Sequence, residues 1–175
     1  MKKWLVYHKQ SITSSGFDSV DWNSIERCLN NTPHLLHLWT TKHISGFCAT
    51  NSCLHQREKS HSPLCPICKS PLSHETSRHL LHCPSPLWIP VWTDAINTLE
   101  AHLLSTKTDP SLIHLISTYL HQRGRRSMQF ISSNSTLQDL SMSQDSIGWE
   151  NFMEGKISHL FESQQQLYYN SISSM

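Results

Sequence analysis

Apolar residues recur at three-and-four spacing through most of this chain, a period that predicts helices and leaves little room for strands. Asp21 is a good N-cap, and Trp22, Ile25 and Leu29 follow at helical intervals, so a short helix is expected to about Asn30. Thr32 caps a second one with Pro33 at its first position, Leu35, Leu36, Leu38, Trp39 and His43 along it, and Gly46 as its stop. Ser85 and Pro86 open a longer helix striped by Val91, Trp92, Ala95, Ile96, Leu99 and Leu103, with Pro90 inside its first turn or forcing its start. Asp109 and Pro110 repeat the cap signal for Leu112, Ile113, Ile116, Tyr119 and Leu120, ending at Gly124, so the two helices read as an antiparallel hairpin. A last amphipathic stretch starts near Asp145 and carries Trp149, Phe152, Met153, Ile157, Leu160, Phe161, Leu167 and Tyr168. Gly148 and Gly155 inside it imply close helix packing or a break.

The expected organisation is a mobile lead-in over residues 1–20, a helical pair over 21–46, a zinc-knuckle module over 47–84, the hairpin over 85–126, a Ser- and Asn-rich linker over 127–144, and a C-terminal amphipathic helix over 145–175. The fold class is mainly α, with amphipathic helices around a small zinc knuckle and little or no β structure. At 175 residues a single compact domain would bury around 70% of its extended surface. Apolar residues make up 37% of the chain, so the core is expected to be modest.

The knuckle is the stretch that carries chemistry. Cys65-Pro66-Ile67-Cys68 is a turn pair, and His79 and Cys83 lie four apart on one helical face. Together they form a Cys3His set suited to zinc, and four protein ligands close a tetrahedron, which makes the site structural and not catalytic. A redox dithiol would open a long helix after a buried strand. Here polar residues 57–62 precede the pair and Pro71 follows it, so neither flank fits. His74 and His82 also lie between the cysteines and remain alternatives to His79. His82 is about 100° round the helix from Cys83, and His74 breaks the helical pairing. Cys48, Cys53, His55 and His61 are a weaker candidate for a second metal, since no helical pair completes them.

The run Cys65-Pro66-x-Cys68 followed by Glu75-Thr76-x-x-His79-Leu80-Leu81-x-Cys83-Pro84 resembles the zinc-binding segment downstream of the polymerase domain in reverse-transcriptase-like frames of non-LTR retroelements. Asp21-Trp22, Lys42-His43-x-Ser45-Gly46 and Gln144-Asp145-x-Ile147-Gly148-Trp149-x-x-Phe152-x-x-Gly155 are similar to further segments of such frames. The chain departs from that pattern after Cys68, where Lys69 stands in place of the usual glycine. The resemblance implies a detached or truncated C-terminal portion beginning at Met1, and a role in holding RNA or target DNA.

Net charge of +1 with 15% charged residues argues neither for nor against a nucleic acid. Lys59, Lys69, Arg78 and the cluster Arg123, Arg125 and Arg126 are the candidate phosphate contacts; a helix end meeting cations is the plainer account of the cluster. The C-terminal stripe is core, or a docking face for a reverse transcriptase or other protein. No two acidic residues are adjacent, and no polymerase turn, serine elbow, phosphate loop or His-Glu-x-x-His helix occurs, so the chain reads as a non-enzyme without a small-molecule substrate. Neither a signal sequence nor a membrane span is legible, which points to an intracellular setting, nuclear or cytoplasmic, where thiols stay reduced and favour metal.

Overall fold

The structure is a computed structural model and describes residues 12–44, 48–132 and 134–174, the side chains of Leu35 and Ile44 excepted. It is 67% helical, with 11 α-helices and no sheet among the described residues, so the mainly α class holds. In chain order these are α1 Ser14–Ser19, α2 Trp22–Asn31, α3 His34–Ile44, α4 Asn51–Arg57, α5 Ser77–His82, α6 Trp88–Ser105, α7 Pro110–Gln122, α8 Met128–Ile131, α9 Gln138–Ile147, α10 Trp149–Met153 and α11 Leu160–Ser173. Two isolated antiparallel bridges, Val20 with Ser158 and Leu64 with His74, are the β structure present. The chain divides into two compact units, one of residues 1–28 with 96–175 and one of residues 29–95.

In the first unit the predicted lead-in is corrected over its described part. Residues 14–19 are helical because Thr13 accepts the Gly16 N–H at 3.0 Å as N-cap. Ile12 and Val20 are buried with Ile147, and Phe17, Trp22 and Ile25 pack around them. The entry to α2 is tied to the far end of the sequence: Asp21 N donates to Ile157 O at 2.9 Å, and His159 N to Ser19 O at 3.0 Å. The rest of the expected lead-in and the Gly46 stop lie outside the described residues.

The expected linker over 127–144 is also folded. Ser127 caps α8, a 3-10 turn spans Ser135–Leu137, and α9 begins at Gln138. Ser127 and Asn134 are its side-chain caps, accepting the Phe130 and Thr136 N–H groups, since a short acceptor satisfies an orphan N–H. The C-terminal stripe is not one helix. Gly148 and Gly155 sit at φ +90° and +82°, backbone that glycine adopts without a Cβ penalty, and the chain breaks at both. The break swings Trp149 and Phe152 onto Tyr119 of α7 in edge-to-face contacts at 5.1 and 5.2 Å.

The second unit is different in kind. Among its described side chains only Thr50, Cys65, Cys83 and Ser85 are fully buried. Leu36, Leu38, Trp39, Leu72, Leu87, Ile89 and Val91 are exposed. The two helices expected between residues 21 and 46 are present as α2 and α3, and Pro90 falls in the first turn of α6; the division between the units falls inside α2 and inside α6.

Candidate metal centre

Two pieces of local structure bring Cys65, Cys68, His79 and Cys83 together. The first is a turn: Lys69 N donates to Cys65 O at 3.0 Å, Cys65 N to Ser73 O at 2.9 Å and Glu75 N to Pro63 O at 2.8 Å, which folds 63–75 back on itself. Closing that turn requires left-handed backbone at the residue after Cys68, and Lys69 adopts it with φ 53°. The second is α5. Thr76 is its N-cap, accepting the His79 N–H at 3.0 Å, and Cys83 is its C-cap, so the two ligands occupy the first and last turns of one short helix.

The four ligand atoms all lie within 4.8 Å of one another, so the group can hold a metal ion. Cys68 Sγ is 3.5 Å from His79 Nε2. A sulfur about 2.3 Å and a nitrogen about 2.05 Å from one tetrahedral ion would be about 3.6 Å apart. The contact is therefore compatible with a shared ion, and Nε2 is the imidazole nitrogen that faces the sulfur. Cys65 and Cys83 are buried; Cys68 and His79 are half-buried.

Backbone donors shape the thiols. The Ser70 N–H is the main cause holding the Cys68 thiol below its ordinary value, with Cys65, Cys83 and the Ser73 hydroxyl adding to it against burial. Burial is the main cause pushing Cys83 up, and the nearby Cys65 and Cys68 sulfurs reinforce it against a Ser85 N–H. Two N–H groups, each two residues beyond its cysteine, thus point at sulfur. Both would stabilise thiolates on an ion.

The neighbouring helix supports the turn. Thr50 caps α4, Glu75 Oε1 accepts the Asn51 N–H at 3.3 Å, Glu75 O accepts the Ser52 N–H at 3.1 Å, and Asn51 Nδ2 donates to Leu64 O at 3.2 Å. In the sequence Glu75 and Thr76 stand only as motif residues; the helix-capping sense of Thr76 before Ser77-Arg78-His79 is the signal there for the supporting contacts.

His74 and His82 are exposed and outside the four-residue group. Cys48, Cys53, His55 and His61 form no second group of three or more ligands among the described residues. His55 Nδ1 instead donates to His61 O at 2.6 Å, and His61 Nε2 lies 3.3 Å from Glu58. Lys59, Lys69 and Arg78 are exposed within the second unit, the latter two each adjacent in sequence to a ligand. The arginine cluster belongs to the first unit. Arg123 is the left-handed C-cap of α7, its N–H donating to Leu120 O, and Arg126 lies 4.9 Å over the Phe130 ring.

Compared with protein-family profiles, curated proteins and solved structures, the chain matches none. No helix among the described residues is long and apolar enough to cross a membrane.

Proposed function

We propose that the chain is a non-catalytic zinc module in which Cys65, Cys68, His79 and Cys83 hold a structural ion, and whose folded surface binds nucleic acid through Lys59, Lys69 and Arg78. The observation that carries the zinc reading is the burial pattern of the second unit. Among its described side chains only four are buried, and two of those, Cys65 and Cys83, belong to the Cys3His cluster. A unit of this size with so few buried side chains needs a staple, and structural zinc contributes an apparent 10–16 kcal/mol, about what a whole domain's stability amounts to. Thiolates and imidazole favour zinc over harder ions, and four ligands leave no open position for substrate. Bound there, the ion supplies cohesion and no reaction step.

Three thiolates on a divalent ion leave the site with a net charge of about −1. Phosphate affinity must then come from surrounding cations, and Lys69 and Arg78 flank the ligands. The likeness to retroelement segments rests on the motif residues quoted above, and it favours RNA or DNA over other anions. A second reading, contact with another protein, is favoured by the exposed Leu167, Tyr169 and Ile172 on α11.

Elemental analysis of the purified chain is the test. One zinc per chain, lost in Cys68→Ser, is expected; a metal-free chain that stays folded, or a Cys68→Ser variant with undiminished zinc affinity, overturns the reading.

A further inference from the structure

The three cysteines outside the metal group are Cys28, Cys48 and Cys53. Cys48 stands apart from the other two. Its sulfur lies 3.5 Å from Nδ1 of His43, within the reach of a sulfur hydrogen bond. His43 is stacked on Trp39 one helical turn back, with ring centroids 5.1 Å apart and planes within 4°, which fixes the imidazole plane. Cys48 also lines a groove of about 450 Å³ whose apolar walls are Leu38, Trp39 and Leu80. Lys42 and Glu75 are its charged members, and Glu75 accepts the Asn51 N–H.

We propose that Cys48 is a nucleophilic thiol, activated by His43, that is modified covalently by α,β-unsaturated carbonyl compounds whose apolar part lies in this groove. An imidazole that takes the thiol proton leaves a thiolate, the reactive form. The sulfur adds to the alkene β-carbon, forming the C–S bond. The alkene π pair moves toward the carbonyl as an enolate, and the enolate recovers the proton that His43 took. No leaving group, oxidant or reductant is needed. Lys42 and Glu75 are the charged groups lining the groove, and they act on a thiolate there in opposite senses. The groove walls select among electrophiles, because apolar surface removed from water adds to the encounter and polar surface does not. This site is independent of the metal reading.

The test is competitive labelling of the full chain with N-ethylmaleimide and N-cyclohexylmaleimide, followed by peptide mapping. Cys48 is expected to react about tenfold faster than Cys28 and Cys53 at neutral pH, because the imidazole beside it raises the share of thiolate. N-cyclohexylmaleimide is expected to outpace N-ethylmaleimide at Cys48 and not at Cys28. His43→Gln should erase the lead of Cys48, with an unchanged far-UV circular dichroism spectrum and thermal melt reporting that the chain is still folded. The wild-type pH–rate profile for Cys48 supplies a measurement free of any folding change, and it should level off at lower pH than that of Cys28. Equal labelling of Cys48 and Cys28, coincident pH profiles, an undiminished lead in a folded His43→Gln variant, or no preference for the larger maleimide at Cys48 overturns the proposal.

Discussion

The N–H of Lys69 closes the metal-binding turn by donating to the carbonyl of Cys65 at 3.0 Å, and it does so from left-handed backbone at φ 53°. A side chain in that region costs about 1–2 kcal/mol. Glycine would not carry that cost, although it loses more entropy on folding. Lys69→Gly is therefore expected to stabilise the metal-bound chain by at most about 1 kcal/mol. Lys69→Ile should destabilise it by more, since branching at Cβ worsens the same clash. Thermal melts of the two variants in excess metal check the order.

Chelation is expected to act on one unit only. The first unit has its own core, including Leu112, Leu115, Tyr119, Met128, Leu140 and Phe161, whereas the second is centred on Cys65 and Cys83. Metal removal should abolish amide protection over residues 50–83 and leave it on α7 and α9. Hydrogen exchange with and without chelator measures this; uniform loss across both units would contradict it.

The Cys3His cluster was legible because its geometry is local. A turn and one short helix bring the four side chains together, and both obey spacing rules that a sequence displays. What escaped the sequence was pairing at long range. Gly16 sits in a polar Ser- and Thr-rich tract, yet α1 packs on α9 so closely that a Cβ on Gly16 would lie 2.2 Å from Ser146 O. From the sequence, Asp145 reads as the start of the C-terminal helix. Its two carboxylate oxygens accept the N–H groups of Met128 and Gln129 at 2.7 and 2.9 Å, which is why the supposed linker folds. Neither contact leaves a periodic trace.

Gly16→Ala follows from the same approach. The obstacle is a backbone carbonyl and not a flexible side-chain end, so α1 or α9 must move. Overpacking of this kind costs about 1–3 kcal/mol. Denaturant unfolding monitored on the tryptophans of the first unit should show that loss, despite the gain in helix propensity that alanine brings elsewhere.

Asp109 makes the first unit acid-sensitive. Burial is the largest single influence and pushes its carboxyl up, but donors from Gln164, from the Ser111 hydroxyl and from the Ser111 and Leu112 N–H groups together hold it below its ordinary value of 3.8. A carboxyl depressed by folding contributes stability that is complete above its unfolded value and disappears as pH falls through the folded one. Asp109→Asn keeps an N-cap acceptor for Ser111 without the charge. The variant should be less stable than wild type at neutral pH, and the gap should close as pH falls below 3.8. A gap that persists unchanged into acid would assign the loss to geometry instead of charge.

Nucleic acid binding, if carried by the metal-bearing unit, has a bounded salt dependence. That unit contains five basic residues, Lys42, Arg57, Lys59, Lys69 and Arg78, against Glu58, Glu75 and Asp94. All five basic residues are exposed; Lys69 and Arg78 are next in sequence to candidate ligands, and with Lys59 they are the proposed phosphate contacts. About three phosphate contacts release few counterions, so the log–log slope of affinity against salt should lie near −2 to −3, with weak and largely sequence-independent binding. Replacing Lys69 and Arg78 together by alanine should bring the slope to about −1. Metal content should not change, because neither side chain is a ligand and alanine at residue 69 retains the same left-handed cost. Filter binding across a salt series reads the slope, and elemental analysis of the same samples reads the metal. A chain that retains metal and binds no RNA or DNA at low salt, or binds it with no response to salt, would shift the reading to a protein partner at α11.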